Sequence, residues 1–224
     1  KALAKFPLEE VVKTSRFGIW ISMFITWVLT GCIVVFILLM PGFVGGVLGF
    51  SPFETTYFQM GGLVCIVSSC WLTGRLADKH NPSTLCILFS AGFAVSSVAF
   101  FSLLYTAAPV VSEVVLAYFA TCFFAGIMNF CPIFMCDVFP ARIRFSGISF
   151  AYNIAYALSG AFTPQLSFAL HAYAKTHPDT LGAMGLSAYI VFLALVSIGT
   201  ALAMRRVYKN GGAAVSQMEF RPAP

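Results

Sequence analysis

Apolar runs of roughly twenty residues alternate with short polar turns along the whole chain, the pattern expected of membrane-crossing helices. Six such runs are predicted, over 17–40, 51–73, 81–105, 112–138, 145–170 and 181–204. Local punctuation supports their starts. Ser51-Pro52-Phe53-Glu54 reads as a capping box with proline at the first helical position, and Asn81-Pro82 repeats that style. Pro41 and the glycines at 42, 45, 46 and 49 are expected to end the first span and loosen the chain before Phe50. A looser segment carrying His171, Lys175, His177, Pro178 and Asp179 is expected between the fifth and sixth spans. The predicted fold class is therefore all-α, a polytopic membrane protein of six transmembrane helices. A basic lead-in or linker occupies 1–16, the helix bundle 17–205 and a polar cytoplasmic tail 206–224.

Composition agrees with this pattern. The chain is 59% hydrophobic and 9% charged, whereas about a quarter of residues are charged in soluble domains. Its net charge of +5 is not a nucleic-acid signal, because the positives sit in short clusters between apolar runs. All thirteen Lys and Arg residues except Lys175 fall in the lead-in, the turns at 74–81 and 139–144, and the tail. The positive-inside rule then places both termini in the cytoplasm. Cys32, Cys65, Cys70, Cys86, Cys122, Cys131 and Cys136 lie inside predicted spans without metal-ligand spacing and read as small apolar residues. No metal or cofactor is expected.

No Asp, Glu, Lys, Arg or His occupies the middle third of any predicted span, so no proton relay is visible within this chain. Nor is there an HExxH sequence or a nucleophile beside a base, which argues against an enzyme. What polarity remains is neutral. Asn153 lies nine residues beyond Arg144 and Asn129 nine residues before Val138, each about 13 Å along its helix. The two either hydrogen-bond as interhelical glue or line a polar cavity. Tyr152, Asn153, Tyr156, Ser159 and Thr163 together are more polarity than one helix interface needs. Gln59 and Trp27 are further cavity candidates, while Trp20 suits the membrane interface. Pro132 and Pro164 are expected to kink the fourth and fifth spans, a feature usual beside transporter cavities.

Two motifs carry a resemblance. Gly74-Arg75-Leu76-Ala77-Asp78-Lys79 resembles the turn joining the second and third helices of each half of the major facilitator superfamily. Here His80-Asn81-Pro82 replaces the usual glycine and basic continuation. Phe139-Pro140-x-Arg142-x-Arg144-x-x-Gly147, followed by Tyr152-Asn153, Gly160 and Thr163-Pro164, resembles the signature between the tenth and eleventh helices of the metabolite:proton symporter family, which includes proline/betaine, alpha-ketoglutarate, citrate and shikimate permeases. The resemblance implies the C-terminal half of a twelve-helix secondary transporter in a bacterial inner membrane, built as two inverted three-helix repeats. The first, second, fourth and fifth spans would line the pathway. It also implies a cytoplasmic gate of Gly74, Asp78, Asp137, Arg142 and Arg144, in which Asp137 pairs with one of the arginines. Plain anchoring is the other reading of those arginines. The expected function is alternating-access transport of a small polar metabolite or osmolyte, coupled to protons. Its partners would be the lipid bilayer, the solute, and an N-terminal six-helix half or a second copy of the chain. Because the chain starts at Lys1, a fragment or processed chain is expected. The alternatives are a half-size self-pairing transporter and a non-transporting receptor or assembly protein.

Overall fold

A computed structural model describes residues 7–106, 108–177 and 180–209, with side chains described from Val11 and, in the last helix, from Met184. Helix is the only regular structure among the described residues. A short helix, α1, spans Pro7–Thr14. Six long helices follow: α2 over Arg16–Leu48, α3 over Pro52–Ala77, α4 over Pro82–Leu104, α5 over Val111–Val138, α6 over Arg144–Thr176 and α7 over Thr180–Lys209. Of these, α2, α3, α4, α5 and the Met184–Lys209 part of α7 are long and apolar enough to cross a membrane. At 33 residues α6 is long enough, but its polarity sets it apart from the other five.

The helix starts follow from their caps. Glu54 Oε2 accepts from the Ser51 backbone N–H at 2.8 Å, and Ser51 Oγ accepts from the Glu54 N–H at 3.3 Å. Asn81 Oδ1 accepts from the Ser83 N–H at 2.9 Å. These side chains take up N–H groups that the first helical turn leaves without a partner.

Two ends differ from expectation. The first helix does not stop at Met40 but runs through Pro41 to Leu48, and closes at Gly49 with φ +70°, a conformation that favours glycine. It absorbs Pro41 by widening over Ile33–Leu39 into a π-helical stretch, in which the Met40 N–H reaches the Val35 carbonyl. The segment expected to be loose after Leu170 is instead helical to Thr176. His171 holds it there: the ring stacks on Phe43 at 4.0 Å and Nδ1 lies 2.5 Å from Tyr105 Oη. Pro178, Asp179, residues 1–6 and tail residues 210–224 lie outside the described residues.

The packing has a simple plan. The α4–α7 seam is the most extensive, and Ser90 Oγ donates to Ser197 Oγ across it at 2.8 Å. α2 packs on α6 and α7, while α5 packs on α3 and α4, and α2 and α5 also touch each other. Lipid tails are as apolar as these side chains, so close fit rather than water exclusion must hold the seams. Small residues provide the fit. On α6 the buried positions Gly147, Ala151, Ala155, Ser159, Thr163 and Ser167 recur every fourth residue. Where α3 meets α5, a Cβ on Gly126 would stand 2.1 Å from Ser69 Oγ and 3.0 Å from Ser69 Cβ. Gly126→Ala is therefore expected to cost about 1–3 kcal/mol through overpacking, with part of the loss recovered by adding Ser69→Gly. Thermal unfolding in detergent checks both; a Gly126→Ala protein as stable as the parent would refute this approach of the helices.

Candidate functional site

The motif ahead of α6 folds as a self-contained corner. Phe139 is 1% exposed, and its ring fills a notch between two glycines. An added Cβ on Gly147 would lie 2.6 Å from the ring, and one on Gly18 of α2 would lie 2.9 Å away. Arg144, half-buried, donates from Nε to the Phe139 carbonyl at 3.1 Å, and the Ile143 N–H reaches the Pro140 carbonyl at 3.1 Å. The phenylalanine, arginine and glycine of the motif thus serve one turn. Asp137, exposed at the end of α5, accepts on Oδ2 from Tyr208 Oη of α7 at 2.5 Å. Arg142 is exposed on the same turn. Asp78 caps the end of α3 and is exposed, with its N–H on the Gly74 carbonyl at 3.2 Å.

Asn129 and Asn153 occupy different settings. Asn129, half-buried, donates from Nδ2 to the Cys70 carbonyl at 3.2 Å and to Thr73 Oγ1 at 3.3 Å. Thr73 spends its own proton on the Ser69 carbonyl at 2.9 Å, so it accepts from the amide. A Cβ on Gly74 would lie 3.4 Å from the same amide nitrogen, which ties the first motif to this α3–α5 contact. Asn153 is exposed and donates to the Ser149 carbonyl of its own helix at 2.7 Å. Beside it, Tyr152 and Tyr156 stack at 5.5 Å between ring centroids, Tyr152 half-buried and Tyr156 exposed. Asn153, Tyr156 and Gln165 are exposed polar residues of α6, with Leu158 and Phe162 exposed between them.

Gln59 has a different partner from any the sequence suggested. Its Nε2 donates to the Ile37 carbonyl at 2.9 Å, and Tyr118 Oη donates to the Phe36 carbonyl at 2.9 Å. Both acceptors lie one turn before Pro41. In a π or an α register, the missing Pro41 N–H would have served Phe36 or Ile37 respectively. One side chain from α3 and one from α5 therefore replace the donor that proline lacks. Pro132, exposed, follows a tightened 3₁₀ stretch over Ala125–Asn129, and Pro164 lies within an unbroken α6.

Trp27 is half-buried. Its Nε1 donates to Tyr189 Oη of α7 at 3.4 Å, and its ring lies 6.1 Å from that of Phe162 on α6. Tyr118 and Tyr189 were not singled out by sequence; the available signal was a phenol in an apolar run, which needs a partner once buried.

The Major Facilitator Superfamily model matches residues 1–164. The chain belongs to the major facilitator superfamily. No curated protein and no solved structure matches it. The matched region takes in both motif turns and the α6 segment as far as Pro164. Together with the apolar helices, family membership makes this an integral membrane protein of a transporter class.

The carbonyls before Pro41 supply a test. Gln59→Leu and Tyr118→Phe should each cost about 1 kcal/mol, the scale of a hydrogen bond inside a membrane protein. Pro41→Ala restores a backbone donor, so in that background one of the two losses should shrink. A double-mutant cycle on unfolding free energy reads the coupling; strictly additive costs would count against the assignment.

Proposed function

We propose that this bundle is one half of an alternating-access transporter that moves a small polar metabolite or osmolyte, coupled to protons. It would work against an N-terminal six-helix half or a second copy of itself. The observation that carries this reading is the contrast between outer faces. α4 and α7 turn Leu88, Val95, Phe192, Leu195 and Leu202 outward, side chains suited to lipid. α6 instead turns Asn153, Tyr156 and Gln165 outward among Leu158, Phe162 and Phe168, polar groups that lipid would not solvate on an otherwise apolar face. Those polar groups on the mixed outer face of α6 are accounted for by a water-filled path or a facing protein wall.

The packing plan supports an inverted repeat of α2–α4 with α5–α7. Exchanging the two triplets turns the α2 contacts with α6 and α7 into the α5 contacts with α3 and α4. In this reading α4 and α7 lie outermost, and α2, α3, α5 and α6 line the path. The basic turns and both termini face the cytoplasm of a bacterial inner membrane, and the corner at 137–144 with Asp78 forms the gate. Asn153, Tyr152, Tyr156 and Trp27 contribute to one wall of the solute site. Asn129 and Gln59 belong to the α3 side, where they also brace the helices. The neutral face suits a solute held by hydrogen bonds, while the coupling carboxylates are supplied by the facing half.

The test is uptake into proteoliposomes holding the complete transporter, with a panel of zwitterionic osmolytes, amino acids and organic acids under a pH gradient. For a transported solute, Asn153→Ala should raise KM by about three- to tenfold, the worth of roughly one hydrogen bond, at unchanged protein level. An unchanged KM would remove Asn153 from the site. No uptake of any panel solute would favour a non-transporting protein of the same fold.

A further inference from the structure

One ring of polar groups joins three helices at Trp27, and its hydroxyl members Tyr189, Thr163 and Ser159 have no part in the reading above. Trp27 Nε1 donates to Tyr189 Oη at 3.4 Å. Tyr189 Oη lies 2.7 Å from Thr163 Oγ1, and Thr163 Oγ1 lies 3.3 Å from Ser159 Oγ. Ser159 Oγ closes the circuit by donating to the Trp27 carbonyl at 3.4 Å. Its polarity follows from chemistry alone. An indole N–H only donates and a carbonyl only accepts. The Tyr189 proton must therefore go to Thr163, the Thr163 proton to Ser159, and the Ser159 proton to the backbone of Trp27. Each hydroxyl then gives one hydrogen bond and takes one, and none of these groups is left unpaired.

Burial makes the ring directional in a second sense. Ser159 and Thr163 are 0% exposed and Tyr189 7%, whereas Trp27 is half-buried and leans on Phe162, which is 50% exposed. The hydroxyls are anchored inside the α2–α6–α7 seam, while the indole reaches from it toward the outer side of α6. Loss of the Tyr189 hydroxyl would strand the indole N–H in an apolar setting, leave Thr163 Oγ1 without its donor, and release the indole torsion.

We propose that Tyr189 is a positioning residue: through the Trp27–Tyr189–Thr163–Ser159 ring it sets the orientation of the Trp27 indole on the wall of the solute path. This rests on the reading of that wall given under Proposed function. It assigns to α7, an outer helix there, control over a pathway side chain that it reaches from behind.

Trp20 and Trp71 are the chain's other two tryptophans, so Trp20→Phe with Trp71→Phe leaves Trp27 as the only indole of this half. In the complete transporter, with other tryptophans likewise replaced, its fluorescence is read in liposomes against two quenchers, water-soluble acrylamide and brominated lipid. Trp27 should be quenched by acrylamide. Tyr189→Phe should shift its emission maximum and raise that quenching. Thr163→Val removes the other partner of the Tyr189 hydroxyl and keeps both aromatic rings. It should move the signal the same way, and it serves as the test if Tyr189→Phe does not fold. A lowered Tm with Trp27 emission and quenching unchanged in the folded variant would mean a merely stabilising bond and overturn the positioning role. Quenching by brominated lipid but not by acrylamide would instead overturn the wall reading itself.

Discussion

Pro41 sets a constraint that much of the bundle is arranged to meet. A backbone carbonyl without a donor costs several kcal/mol in hydrocarbon, because no water is available there. Proline toward the end of a long apolar helix creates that situation at Phe36 in a π register or at Ile37 in an α register. The chain answers in two ways: α2 widens into a π-helical stretch, and Gln59 and Tyr118 reach in to donate. Those donors come from α3 and α5, so one missing N–H links three helices. The aromatic core around the same place follows. Tyr118 stacks on Phe58 at 4.1 Å, and Phe36 meets Phe93 edge-on at 5.4 Å.

The other seams rest on absence of bulk. Glycine, alanine, serine and threonine repeat along the buried side of α6, and Gly126 admits Ser69 at the α3–α5 crossing. The corner before α6 uses the same device in reverse. There two glycines from different helices make room for one large ring, Phe139, and Arg144 ties the turn to the ring's own carbonyl. The arginine is thereby spent on local geometry as well as charge, whereas Asp137 is engaged by Tyr208 from the last helix.

Much of the fold could be read from the chain because the membrane requires a simple code. Long apolar runs between charged turns mark the helices, and Ser51-Pro52 and Asn81-Pro82 start theirs as their capping chemistry demands. The ends after Pro41 and Leu170 differ from the sequence expectation for a shared reason. Proline, glycine and histidine weaken a helix locally, but Gln59 and Tyr118 at one place, and Phe43 and Tyr105 at the other, hold it from outside. Such rescue depends on residues that are dozens of positions away in sequence. The polar residues of α6 stand out in the sequence, yet the division between Asn153, open on the outer side, and Ser159 and Thr163, sealed within the seam, depends on where α2 and α7 lie.

Sequence by itself determined the class of protein, the position of the apolar helices and the two motif turns. Each of these follows from local rules of length, hydropathy and turn chemistry, and the superfamily match rests on the same residues. Tertiary structure decided which polar group meets which. Hydrogen-bond partners such as Gln59 with Ile37, Asn129 with Cys70, and Trp27 with Tyr189 join helices whose order in space is not written in their periodicity. A donor buried in apolar surroundings must find an acceptor, and only the packed bundle specifies which acceptor is within reach.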